Sequence, residues 1–419
     1  MENIGFGVKR IASTRWEEEG LEEAHDRGVG QKVSSPRHVS CVQQAELSAD
    51  GSCIMTSDYD RTASVYILSD QNTALFFKAS LKCPEPIWAL TSYPYFTTSD
   101  PDTSLILLST RANFISLHDI SSQASIYNKI CAYNNIDPLN ETLRVPHSLL
   151  FTSSGTTFLA GSQNLISLYD INDSSAPVSA FRTHSKDDPQ GYRGIVSALS
   201  ISTDGILAAG TWTRYVGLYD AEGSGAAITT ISLPGGPTWL PRDSRDQDND
   251  NALRGNGVSQ LQWSPCGRYI YVAERMSDVL LLYDIRNMSL GLAHCKSRNA
   301  RTKQKLGFQV WSGRAGEDIF TLDHEVWAGG VDGMVRVWRD PHLRAGGLEA
   351  DDVVRVGEDP VVGTMLNREG TCLVAASGRL DAVFPGEEDE GEGRGRLSRH
   401  GRVRERGAVD VFSLQGVES

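Results

Sequence analysis

Apolar and polar residues alternate with a period of two along most of this chain, in short runs broken by polar turns. That spacing predicts half-buried β-strands. A helix would instead place apolar residues at i, i+3 and i+4. One run recurs, with alternating apolar residues, then an aromatic, often with Asp after it. It appears as Ser64-Val65-Tyr66-Ile67-Leu68, Ser116-Leu117-His118-Asp119-Ile120, Ser167-Leu168-Tyr169-Asp170-Ile171 and Gly217-Leu218-Tyr219-Asp220-Ala221. It returns as Leu281-Leu282-Tyr283-Asp284-Ile285, Arg336-Val337-Trp338-Arg339 and Val409-Asp410-Val411-Phe412-Ser413-Leu414. The spacing of about 50–75 residues exceeds the ~40–45 of a plain WD repeat, so several repeats carry long loops.

A second signal runs in step with the first. Ser48-Ala49-Asp50-Gly51, Thr152-Ser153-Ser154-Gly155, Ser202-Thr203-Asp204-Gly205, Ser264-Pro265-Cys266-Gly267 and Asn367-Arg368-Glu369-Gly370 are hairpin turns between strand-like runs. Strand, Gly turn, strand, short turn, strand ending on an aromatic is one propeller blade read outward. The chain is therefore expected to be all-β, a seven-bladed WD-repeat β-propeller. It ends almost at the third strand of the last blade, which would leave an open edge. A piece of residues 3–14 or 29–40 is expected to supply the missing outer strand. The expected division is an N-terminal segment, 1–35, and a propeller, 36–419. Loops are expected at about 241–251 and 386–407, where apolar residues almost vanish.

Chemistry is sparse. No phosphate-binding glycine loop, nucleophile elbow or paired zinc histidines occur. No catalytic residue, cofactor, metal or small-molecule substrate is expected. The seven cysteines are scattered without a Cys-x-x-Cys pair and read as reduced core thiols. His118 takes the place of a blade aromatic and reads as core. His147 begins an inner strand and reads as a structural histidine. No apolar run reaches the ~18–20 residues of a membrane span, and no secretory signal opens the chain.

With the blades placed, the residues resemble the telomerase Cajal body protein family, WD-repeat proteins of small Cajal-body RNAs. The likeness runs over about residues 36–415, as a divergent, fungal-like member would show. It is carried by Asp50-Gly51-Ser52-Cys53-Ile54, by Ile87 through Tyr93-Pro94 and by Asp100-Pro101-Asp102-Thr103. Ala132-Tyr133-Asn134, Pro146-His147-Ser148-Leu149, Tyr215 to Tyr219 and Ser277 to Leu281 follow in the same order. Thr302-Lys303-Gln304-Lys305 with Phe308, Ala375 to Arg379 and Val383-Phe384-Pro385 complete it. The resemblance implies binding and nuclear-body delivery of small guide RNAs, telomerase RNA among them in some members, alongside ribonucleoprotein proteins. Distant fungal relatives are implicated in splicing. The N-terminal segment is shorter than the long leader of animal members, and the resemblance leaves the Cajal-body assembly role open. A nuclear location is implied, with a cytoplasmic pool also allowed.

The net charge of −13 argues against indiscriminate nucleic-acid binding. A WD propeller, however, puts its second-to-third turns and its inner-strand entries on one face. The turns carry Arg61, Arg111, Arg214, Arg275 and Arg379. The entries add Arg144, Arg193, Arg254 and the run Lys296, Arg298, Arg301, Lys303, Lys305. The opposite face collects Asp50, Asp100, Asp102, Asp204, Glu317 and Asp318. A basic ring at the channel would bind phosphates. Trp212, Trp88 and Tyr192 lie near it and would stack on unpaired bases. The candidate RNA-binding residues are Arg61, Arg111, Arg193, Arg214, Trp212, Arg275, Lys303, Lys305 and Arg379. Any one of these arginines alone reads as a solvated charge. The competing expectation is a protein–protein scaffold of a nuclear or splicing complex that uses the same face for an acidic peptide.

Overall fold

The computed structural model describes residues 7–15, 39–69, 74–98, 100–120, 128–184, 191–235, 253–312, 323–383, 396–398 and 401–415. They form seven antiparallel sheets, one after another along the chain. Blade 1 spans 42–82, blade 2 87–133, blade 3 148–182 and blade 4 196–232. Blade 5 spans 258–295, blade 6 308–355 and blade 7 361–415. The seven aromatic runs are the third strands of these blades, and the five glycine turns join first to second strands. The seven-bladed propeller expected from the alternation is the observed fold.

The motif has a physical reason. The aromatic of each third strand is buried, as at Tyr66, Tyr169, Tyr283 and Trp338. The Asp after it closes the next turn. Asp170 accepts from the Asn172 N–H at 2.8 Å, and Asp284 from the Arg286 N–H at 2.9 Å. Gly370 shows why the first turn needs glycine. Its φ is +67°, and a Cβ there would run into the Trp311 ring.

No blade has a core of its own. Seven of the clusters of buried side chains each span two neighbouring blades, and together they close the circle. Ile106 and Leu108 of blade 2 face Met55 and Val65 of blade 1, for example. Around the channel, inner strands of adjacent blades are joined by side chains. Gln44 donates to the Leu90 carbonyl at 2.7 Å, Ser148 to Val196 at 2.9 Å and Ser197 to Val258 at 2.6 Å. Gln260 both donates to and accepts from the Phe308 backbone, at 2.7 and 3.0 Å. These amides and hydroxyls satisfy backbone groups that no strand ladder reaches.

Gly7–Ser13 is the fourth strand of blade 7, antiparallel to the third, with Gly7 opposite Gln415 and Ser13 opposite Asp410. The buried Asp410 carboxylate accepts from the Ser13 hydroxyl at 2.5 Å and faces Arg15 at 3.4 Å. Blade 5 also gains a fifth strand. Gly346–Leu348 returns from blade 6 and pairs in parallel with Gly291–Cys295.

The loop expected over 386–407 is shorter than that. The second strand of blade 7 is Cys372–Val383, and it pairs with Gly401–Gln415 as far as Val383 opposite Arg402. Arg396–Ser398 adds to the same hairpin. A ladder satisfies backbone groups whatever the side chains, so a scarcity of apolar residues does not forbid a strand there. Residues 386–395 and 399–400, and the loop at 241–251, lie outside the described residues.

Deleting residues 1–14 should destabilise the protein by about 3 kcal/mol or more, because Val8, Ile11 and Ala12 leave the last two interfaces. A urea midpoint unchanged from the full chain would show that the strand contributes no closure.

Candidate nucleic-acid interface

In a four-stranded blade the second-to-third turn and the connection into the next blade emerge at the same end. That end carries a cavity of about 330 Å³ at the channel mouth. Trp88 enters it from the start of the inner strand of blade 2, His147 from the residue before the inner strand of blade 3. Trp212 and Arg275 come from the second-to-third turns of blades 4 and 5. The Trp88 and His147 rings stack at 3.9 Å with 26° between their planes. His147 meets Trp212 edge-on at 4.9 Å, and the Arg275 guanidinium lies 5.4 Å from the Trp212 ring centroid. Four successive blades thus present one continuous run of π faces ending in a cation. Trp212 is 38% exposed and open to a further ring.

The other side of the mouth is polar. The connection from blade 5 to blade 6 brings Lys303, Gln304 and Lys305 to the cavity, and Gln44 lines it from blade 1. Buried Arg298 holds that connection in place by donating to the carbonyls of Leu306 and Gly307, both at 2.8 Å, and of Gly329 at 3.1 Å. Burial, with repulsion from Arg275, pushes the Lys305 ammonium down to about 8, against the attraction of Glu46. Burial raises Glu46, which accepts from the Ser92 hydroxyl at 2.6 Å. Burial and Arg275 push His147 down to about 4, so its ring is neutral at pH 7. Packed between Trp88 and Trp212, His147 is also a wall of the cavity. His118 is in the core as expected, 2.8 Å from the Ser116 hydroxyl.

The nine candidates divide. Trp212, Arg275, Lys303 and Lys305 share the cavity. Arg61, Arg111 and Arg193 belong to the same face but not to the cavity lining, and Arg61 donates to the Pro84 carbonyl. Arg379 is not in the turn where the sequence put it: the ladder of blade 7 runs on past it, so it lies within the strand Cys372–Val383, opposite Arg406, and pairs with Asp381 at 2.7 Å. Arg111 and Arg193 are exposed, and among the described residues neither makes an ion pair. Arg214 corrects the sequence reading. Expected in an exposed turn, it is fully buried, with Nε and Nη2 donating to Glu274 at 2.6 and 2.8 Å and Nη2 also to the Pro234 carbonyl at 2.7 Å. Glu274 also accepts from the Gly255 N–H at 3.3 Å. The pair ties blade 4 to blade 5 and pins both ends of the intervening connection, so it has no charge to offer a ligand.

The basic run thins in the same way. Lys296 pairs with Glu349 and Arg301 with Asp278, and Arg144 on the blade 3 entry pairs with Asp137. The acidic residues Asp50, Asp100, Asp102 and Asp204 do lie in first-to-second turns, at the other end of the blades. Glu317 and Asp318 lie outside the described residues.

No family model matches the chain. Over 366 residues, 83% of its length, it is 25% identical to telomerase Cajal body protein 1 of Mesocricetus auratus. The chain is a divergent relative of the telomerase Cajal body proteins. It is also 27% identical over 266 residues, 62% of its length, to the guanine nucleotide-binding protein negative regulator 1 of Schizosaccharomyces pombe. Protein SWT21 of Vanderwaltozyma polyspora is 22% identical over 74% of the chain. The matched part is 58% of the S. pombe protein and 60% of the M. auratus one, so the chain spans about three fifths of these relatives.

Arg214→Ala should cost about 3–5 kcal/mol, because it strands the buried Glu274 carboxylate. Arg111→Ala should stay within ~0.5 kcal/mol. Denaturant midpoints of the two variants check both, and equal midpoints would contradict the assignment of Arg214 to structure.

Proposed function

We propose that this chain is an RNA-binding scaffold of a small nuclear ribonucleoprotein, a binding platform and not a catalyst. The observation that carries the reading is the run Trp88–His147–Trp212–Arg275 beside Lys303 and Lys305 at one channel mouth. Unpaired bases need π faces, at about 1–3 kcal/mol per stacked base, and phosphates need nearby cations. An acidic peptide needs only the cations. The names of the relatives tie those proteins to telomerase and the Cajal body. Small Cajal-body RNA, with telomerase RNA as one candidate, ribonucleoprotein proteins as partners and a nuclear location fit that likeness. A scaffold role without direct RNA contact draws on a different observation, that several cations of the rim are already paired.

Filter-binding titration with small nuclear guide RNAs across a salt series decides between the two. Four or five phosphate contacts give a log–log salt slope near roughly −3. Arg275→Glu combined with Lys303→Glu should lower affinity by about one to two orders of magnitude with the fold intact. Asp50→Asn with Asp204→Asn on the far face should leave it unchanged. If the double charge reversal binds like the parent, or no RNA binds above a neutral control at any salt, the scaffold role replaces this one.

The pH dependence has a definite sign. Lys305 is a cation below about 8 and neutral above it. RNA affinity should therefore fall as pH rises from 7 to 9, and Lys305→Arg should flatten that fall. Equal pH profiles would remove Lys305 from the interface.

A further inference from the structure

A second cavity, of about 380 Å³, opens on the same face beside the first. Trp88 and His147 line both, so the stacked pair is a shared wall. Beyond the wall lie Leu143 and Arg144 from the entry into blade 3, Gln163 from its second-to-third turn, Leu165 from the start of its third strand, and Arg182 from the end of its fourth strand. The cavity is held open before any ligand arrives. Asn164 sits at φ +53°, its side-chain oxygen accepts the Gly194 N–H at 2.6 Å, and its own N–H donates to the Gly194 carbonyl at 2.9 Å. Arg144 is fixed by Asp137 at 2.5 Å, and its carbonyl accepts from Asn135 at 3.2 Å.

The lining suits one flat, partly polar ring. Leu143 and Leu165 offer apolar surface, and the exposed Gln163 amide offers one donor and one acceptor to a base edge. Arg182 is exposed at the rim, and among the described residues it makes no ion pair. The volume lies within the range of small-ligand sites. The two cavities share the stacked wall of Trp88 and His147 and so lie side by side on this face.

We infer that the side cavity is a second base subsite, taking the unpaired nucleotide next to the one seated at the channel mouth. The strand crosses over Trp88 and His147, with Arg182 meeting the phosphate on the blade 3 side. This rests on the RNA-binding reading above and adds a direction and a minimum footprint, two adjacent unpaired nucleotides lying from the channel toward blades 3 and 4. A double-stranded segment cannot occupy both cavities, because its bases are stacked on each other.

The test uses the full chain and hexauridylate, an RNA without pairing, and compares Arg182→Glu with Gln163→Ala, and both with Arg275→Glu/Lys303→Glu. Arg182→Glu is expected to weaken binding about 5- to 20-fold and Gln163→Ala about 3-fold, with melting temperatures unchanged. A 4-thiouridine hexamer is expected to crosslink to peptides holding 143–145 or 163–165. If the parent binds hexauridylate and the channel variant loses it, but Arg182→Glu binds like the parent and no crosslink reaches those peptides, the second subsite is overturned while the RNA reading stands. If the parent binds no RNA, both fall. If the parent instead binds an acidic decapeptide and Arg182→Glu abolishes it, the cavity is a peptide site and the base assignment is overturned.

Discussion

Every blade depends on its neighbours for the other half of its core. A sheet of four short strands exposes two faces and cannot bury either alone. Here each face is buried only against the next blade, and the circle must close for any of the seven interfaces to be complete. The closure within blade 7, the glutamine and serine links around the channel, and the buried charges between blades all follow from that requirement. So does the site. A ring of inner strands brings Trp88, His147, Trp212 and Arg275 within contact of each other, although they are spread over nearly 190 residues of sequence.

The fold was legible because its signals are local. A third strand ending in an aromatic, a turn with glycine and an alternation of period two can each be read within a dozen residues. The face was legible too, since strand direction alone decides which turns emerge together. What a side chain does on that face was not. Arg61 and Arg214 hold equivalent positions in the second-to-third turns of blades 1 and 4, both at positive φ. Arg214 is buried against Glu274, 60 residues away, and Arg61 donates to the Pro84 carbonyl at the surface. No spacing in the sequence distinguishes them, because the deciding partner is non-local.

His147 shows the same limit from the other side. As one histidine at the start of a strand, it carried no sign of the two tryptophans that flank it. A signal was present in the repeat, since Trp88 and His147 occupy nearly the same place at the entry of blades 2 and 3. Comparing equivalent positions blade by blade exposes such a run, where scanning for motifs along the chain does not. The hairpin of blade 7 escaped for a different reason. Its strands are held by backbone pairing, which leaves little trace in side-chain composition.

The fifth strand of blade 5 makes the rim of the disc uneven. An outermost strand with free backbone groups is a template on which another chain can add itself as a further strand. Gly346–Leu348 occupies that place on blade 5 with the protein's own backbone. A partner that extends the sheet of blade 5 meets a strand of three residues in place of the blade's own fourth strand. The protein therefore has an azimuthal orientation as well as a top and a bottom. A larger assembly that grips the rim can register it in one rotational setting, which seven equivalent edges would not allow.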